Sequence, residues 1–239
     1  MRRTFAILFS LSALTAAAAL DWTAEADSLY ATRDAPGVSD QLETLLNAKL
    51  KDDPKSYEAL WRLARIQYWK SESLSGDPKA DAGLACWDVA KRAIETSPEG
   101  VEGLYWEATC VGARSEGMGI LHALTHGLEK KFREPLDAAL RVNKSYQNCS
   151  PLNAIGRYWY KLPWPKYDGD KSIAALEDAI KTCPQDLRAR VYLAETWIKE
   201  GNKKRATELL DEVDKGDETY DPPEARRAKD FAKKARAKL

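Results

Sequence analysis

Residues 187–213 read LRARVYLAETWIKEGNKKRATELLDEV. Leu187, Val191, Ala194 and Ile198 recur at steps of four, three and four, and Ala206, Leu209, Leu210 and Val213 resume the rhythm after Gly201-Asn202. Apolar residues at that period line one face of an α-helix. The stretch therefore predicts a helix, a break at Gly201 and a second helix running back beside the first. Ala194 and Ala206 are small enough to let the two helices approach, and Trp197 is large enough to fill the space beside them.

The same unit returns, less regularly, towards the N-terminus. Leu152, Ile155, Gly156 and Trp159 open one over 152–184, whose second helix carries Ile173, Leu176, Ile180 and Cys183. Trp61, Ala64 and Tyr68 open another over 57–98, with an enlarged inner loop expected at 71–80 around Gly76-Asp77-Pro78. Pro54, Pro98, Pro184 and Pro222 each follow one helical run and precede the next, as suits a residue that cannot continue a helix ladder. Paired helices with small and aromatic residues at such offsets are the tetratricopeptide pattern, here with insertions over its usual period. The fold class expected is all-α: a degenerate, right-handed tetratricopeptide-like array of helical hairpins. Residues 221–239, rich in Ala, Lys and Arg, read as a C-terminal capping helix with a polar outer face. The segment 101–146 departs most. After a first helix, the run GMGILHALTHGLEKKFREPLDAALRVN is too long for one partner helix, and Pro135 is expected to begin a new one.

At the other end, MRRTFAILFSLSALTAAAAL combines Arg2 and Arg3, an apolar core from Phe5 to Leu14 and the small residues Ala16–Ala19. That is the anatomy of a cleaved leader, with cleavage expected near Ala19. The apolar core is shorter than a membrane span requires. The expected division is thus a leader over 1–19, the repeat domain over 20–220 and the cap over 221–239. The chain carries 37 basic and 37 acidic residues; losing Arg2 and Arg3 leaves 35 against 37, a net charge of −2. Mixed charge of that kind marks solvated helix faces, with no basic footprint for nucleic acid. A periplasmic or secreted location follows from the leader.

Four cysteines lie beyond the leader. Cys86 and Cys110 are each 12 residues from Pro98, and Cys149 and Cys183 are each 17 from Lys166 in the 163–170 loop. Residues equidistant from a hairpin turn face each other, so the pairs predicted are Cys86–Cys110 and Cys149–Cys183, as an oxidising compartment permits. The alternative is four buried free thiols packed as small hydrophobes.

Candidate chemistry is sparse. His122 and His126 sit at i, i+4, a spacing that serves metal-binding helices. HALTH lacks the glutamate of the zinc-protease motif and has no third ligand nearby, so a groove-lining or packed pair stands beside the metal reading. Lys130, Lys131 and Arg133 either complement a helix dipole or contact an anion at the mouth of a groove. Tyr105, Trp106, Tyr158, Trp159, Tyr160 and Trp197 fall on the first helices of hairpins, which line the concave face of such arrays. These rings serve as core or as ligand surface. Neighbours on a helix are about 100° apart, so Tyr158, Trp159 and Tyr160 cannot all turn the same way. No catalytic constellation or cofactor motif stands out.

The blocks GLYWEATCVGARSEGMGILHALTHGLEKKFREPLDAAL (103–140), GRYWYKLPWPKYDGDKSIAALEDAI (156–180) and YLAETWIKEG (192–201) resemble the tetratricopeptide-like T component associated with bacterial TRAP transporters. The likeness spans about residues 55–214, and a more distant one points to the regulator-of-microtubule-dynamics proteins. The resemblance implies an exported helical protein that pairs with a solute-binding protein and holds a small apolar ligand in a cleft or pore; the lack of a convergent acid, base and nucleophile argues separately against an enzyme. Such proteins are often lipoproteins, and no lipid-attachment cysteine follows the apolar core here. The expected ligand surface comprises Tyr105, Trp106, His122, His126, Lys130, Trp159, Tyr160 and Trp197, with aromatic rings for the apolar part and the histidines and Lys130 for a polar end. The alternative is a cell-envelope scaffold binding peptides in the same concave groove, and self-association stays open in either case.

Overall fold

A computed structural model describes residues 22–239, so the leader expected over 1–19 lies outside the described residues. Those residues hold twelve helices and no strand. In order they are α1 (22–31), α2 (Val38–Asp52), α3 (Tyr57–Ser71), α4 (Gly76–Thr96), α5 (Val101–Met118), α6 (Ile120–Thr125), α7 (Leu128–Asn143), α8 (Tyr146–Lys161), α9 (Gly169–Thr182), α10 (Leu187–Lys199), α11 (Lys203–Asp214) and α12 (Pro222–Arg236). The hairpins are α3–α4, α5–α7 with α6 inserted, α8–α9 and α10–α11; α12 packs on α10 and α11.

Three of the hairpins begin after the same turn. Asp53-Pro54-Lys55-Ser56, Ser97-Pro98-Glu99-Gly100 and Cys183-Pro184-Gln185-Asp186 each place an extended residue before the proline, at φ −134°, −140° and −128°. That is where proline forces its predecessor. In each turn the fourth residue's N–H returns to the first residue's carbonyl at 3.0–3.1 Å. Gly201, at φ +81°, closes α10 in the left-handed region that glycine reaches without steric cost.

Two expectations need correction. The inner loop of the α3–α4 hairpin is only 72–75, because Gly76, Asp77 and Pro78 form the first turn of α4. A first-turn N–H has no intrahelical partner, so a proline there costs nothing. Pro135 does not begin a helix; it lies inside α7. The long run is broken instead by Gly119 (φ +87°) and Gly127 (φ +71°), which isolate the six-residue α6. The start of α8 also departs from the hairpin rule, with Gln147, Asn148 and Cys149 all at positive φ.

Burial falls into a large N-terminal core, which includes Leu42, Leu46, Leu60, Ile66 and Trp106, and a C-terminal one with Leu176, Leu193, Leu209, Leu210 and Ala228. Each fully buried Leu contributes about 1.5–3 kcal/mol. Cys86 is bonded to Cys110 and Cys149 to Cys183, with Cα–Cα distances of 5.5 and 6.0 Å, the same pairs that the hairpin arithmetic predicts. The first ties α4 to α5, where the backbones nearly touch: a Cβ on Gly83 would collide with the backbone at Arg114, and one on Gly117 with Ala80.

The last helix does more than cap. Ala225, Ala228, Ala232 and Ala235 are buried in the C-terminal core, while its other residues reach the opposite end of the chain. Arg227 donates to the Trp69 carbonyl (3.1 Å) and to Glu72 (2.7 Å), Arg226 pairs with Asp34 (2.7 Å), and Asp221 pairs with Arg33 (2.9 Å). The expected polar outer face is thus partly an inner seam that joins the two ends of the array.

Candidate functional site

The first helix of each hairpin turns a periodic stripe inward. On α5 it is Tyr105, Thr109, Gly112 and Glu116; on α8 it is Ser150, Asn153, Arg157 and Lys161; on α10 it is Arg188, Tyr192 and Glu195. With Tyr68 and Trp69 of α3, its C-cap Glu72 and residues of α12, these stripes surround a cavity of about 430 Å³. That size suits a small organic molecule.

The cavity has two characters. Ile120, Leu124, Leu128, Phe132, Tyr158 and Leu162, from α6, α7 and the end of α8, line an apolar side. There Phe132 stacks on Tyr158 with ring centroids 5.5 Å apart, and the Tyr158 hydroxyl donates to Glu129 at 2.7 Å. Between this side and the charged one stands Arg157. Its Nη1 donates to Glu195 at 2.6 Å, and its plane packs 4.4 Å from the Tyr192 ring and 4.7 Å from Tyr160. A guanidinium carries five N–H donors, so most of Arg157's remain for another acceptor. Lys161 lies 3.2 Å from Glu116, which Lys79 also holds at 2.7 Å. Burial, then the Arg157 charge, lowers the Lys161 ammonium below its ordinary range.

The charged side is the seam between chain ends. Glu72 receives Arg188 (2.6 Å) and Arg227 (2.7 Å); Arg188 also pairs with Glu224 and donates to the Tyr192 hydroxyl (3.1 Å). Arg227 sits 3.0 Å and Arg33 4.2 Å from the Trp69 ring centroid. Burial alone would raise Glu72, but Arg188 and Arg227 together bring it down to about 2. Glu224 goes the other way: burial raises it, and although Arg188 lowers it, the nearby Glu72 charge raises it again. Three guanidiniums, of Arg33, Arg188 and Arg227, thus answer three carboxylates, of Glu72, Asp221 and Glu224.

Asp186 lines the cavity at the start of α10. It caps the helix by accepting from the Ala189 N–H (3.0 Å), and it accepts from Asn153 Nδ2 (2.6 Å). Only 4% exposed, it is pushed up by burial to about 6 despite both bonds. The Oδ1 of Asn153 has no hydrogen-bond partner.

Of the eight residues expected to form the ligand surface, Tyr105 and Trp106 line the cavity. The other six do not. His122 on α6 and its C-cap His126 are exposed with rings 4.1 Å apart, and no group of three or more metal-ligating side chains occurs among the described residues. Lys130 is exposed, 3.4 Å from Glu134. Trp159 is half-buried under the Lys171 ammonium (4.4 Å), Tyr160 packs against Arg157 and Lys199, and Trp197 borders the C-terminal core. Tyr158 lines the cavity and Trp159 does not, yet their rings meet edge to face with centroids 4.9 Å apart. Selection by aromatic identity passed over Arg157, Arg188, Tyr192 and Glu195. The signal that marks them is polar residues recurring at helical period on the first helices of hairpins.

Comparison with known proteins agrees with this architecture. The family model described as Regulator of microtubule dynamics protein 1-3 matches residues 22–164. A thermophilic TPR protein of Thermus thermophilus is similar in structure, with 22% identity, coverage of 90% of this chain and 97% of that one, and a TM-score of 0.64. The MamA protein has 17% identity, covering 82% of this chain and 95% of its own, with a TM-score of 0.47. No curated protein matches the sequence.

Proposed function

Since the match over residues 22–164 makes this chain a member of the regulator of microtubule dynamics protein 1-3 family, and its fold is tetratricopeptide-like, we propose that it is an exported binding protein whose central cavity holds a small amphipathic solute. The observation that carries this reading is the two-sided cavity. An apolar tail fits against Leu124, Leu128, Phe132 and Leu162, and an anionic head fits at Arg157. Around Arg157 the lining residues Lys79, Arg157, Lys161 and Lys238 face only Glu116 and Glu195, four cations to two carboxylates. An anion placed there gains charge-assisted hydrogen bonds from a guanidinium already oriented by ring packing.

Export rests on the leader pattern of residues 1–19 and on two disulfides, which persist in oxidising compartments. Service beside a solute-binding protein in TRAP-type uptake rests on the sequence blocks at 103–140 and 156–180. In that setting the outer helix faces are the surface for a protein partner, because the seam occupies the side on which an extended peptide would otherwise lie.

Mass spectrometry of an organic extract of the natively purified protein tests the cavity. An amphipathic acid is expected at near-stoichiometric yield, falling about tenfold or more in Arg157→Met, with the helical circular dichroism unchanged. Extracts empty of any such molecule, or equal yields from both proteins, count against the assignment.

A further inference from the structure

We propose that the polar end of the cavity is built for a doubly charged head, so that the solute is a phosphate monoester of a single apolar chain. The assignment rests on the reading of the cavity as an amphipathic binding site and names the class of molecule it takes.

Two carboxylates at that end each bridge two cations. Glu195 accepts from Arg157 (2.6 Å) and Lys238 (2.8 Å), and Glu116 pairs with Lys79 (2.7 Å) and Lys161 (3.2 Å). All six side chains line the cavity, and none of the four cations pairs with any other carboxylate among the described residues. Each bridge therefore carries one uncompensated positive charge. The bridges adjoin, because Arg157 and Lys161 both lie on α8, and side chains four residues apart on a helix stand about 5–6 Å from each other. Each bridge feels the other. Burial, then the Arg157 charge, lowers the Lys161 ammonium. Burial raises the Glu116 carboxyl, but Lys161, Lys79 and, from the other bridge, Arg157 bring it below its ordinary range.

Charge elsewhere on the lining does not cancel the surplus. In the seam, three guanidiniums meet three carboxylates. Glu129 is held by Lys166, Lys234 balances Asp186 in number, and Lys203 answers the main-chain oxygen of Leu239 beside Lys238. Two surplus positive charges about one helical turn apart leave one unanswered when a carboxylate or sulfonate binds. A phosphate monoester brings a charge of about −1.5 to −2 at neutral pH and three terminal oxygens. Those oxygens suffice for the Arg157 fork and the Lys161 ammonium together. Its single ester chain matches the one apolar side of the lining, formed by Leu124, Leu128, Phe132 and Leu162.

Calorimetric titration with octyl phosphate and with octanesulfonate provides the test, since both heads are tetrahedral with three free oxygens and differ in charge. At pH 7.5 octyl phosphate is expected to bind about tenfold or more tighter. Towards about pH 5, below the phosphate's second pKa of about 6, the ratio should fall towards one. Asp186, pushed up to about 6, protonates over the same range, but its loss of charge favours both anions and cannot lower the ratio. Lys161→Met, with its circular dichroism unchanged, should bring the ratio close to one at pH 7.5 while octanesulfonate still binds through Arg157. The wild-type pH series decides the point should the variant not fold. Equal affinities at pH 7.5, or a preference that persists unchanged at low pH, overturns the doubly charged head and leaves the amphipathic cavity standing. Failure of both ligands to bind overturns the two readings together.

Discussion

At the scale of single residues, Asp186 shows how one buried carboxylate sets a pH dependence. Its folded-state pKa is raised from about 3.8 to about 6 by burial. A raised acid favours the folded state most below its unfolded pKa and loses that advantage as pH rises through 6. At neutral pH the ionised group is therefore a cost. Asp186→Asn removes the charge and keeps an acceptor for the Ala189 N–H; its new amide donor suits Asn153 Oδ1, now without a partner, once that side chain flips. The variant is expected to be more stable than the wild type at pH 7.5 by about 1–3 kcal/mol, with the difference closing towards pH 4. Paired thermal melts across that range check it; a less stable variant at pH 7.5 would refute the account. The raised Asp186 is not legible in sequence, because its burial depends on side chains brought in by other helices.

At the scale of elements, most features are local and most were readable. The proline turns, the Gly201 break and the two cysteine pairs depend on neighbours in the chain or on one hairpin's geometry. The close approach of α4 and α5 at Gly83 is of the same kind, since its cause is a missing side chain. Gly83→Ala should cost about 1–3 kcal/mol in urea unfolding, because the new methyl meets backbone at Arg114 that cannot rotate away. Readings failed where two local signals competed. Pro135 suits a helix start, yet Gly119 and Gly127 reach positive φ and break the run first, leaving the proline inside α7. The carbonyl it deprives belongs to Lys131, an exposed residue.

At the scale of the whole molecule, the seam joins directly two cores that the smaller clusters of α7, α8 and α9 connect only in steps. Glu72 links to Arg188 across 116 residues of sequence, and Arg33 to Asp221 across 188. Breaking a buried ion pair from one side costs about 3–5 kcal/mol. Glu72→Gln should therefore speed amide exchange in α12 about a hundredfold or more, while α3–α5 stay protected. Uniform protection in the variant would show that packing alone holds the ends together. The pKa of Glu72 is depressed, so its contribution is complete above about pH 4.5 and is lost as pH falls towards 2. Glu224, raised in the folded state, acts in the opposite sense and gains as it protonates.

Hydrophobic period, prolines and hairpin symmetry determined by themselves that this chain is an all-helical tetratricopeptide-like array, because each acts over the few residues that make one turn or one pair of helices. Which side chains face the cavity, and that the last helix returns to the first hairpins, were decided only in the tertiary structure. Closure is the sum of small rotations between successive hairpins, and it is held by charges more than a hundred residues apart. No stretch of sequence short enough to read by period contains both partners of such a pair.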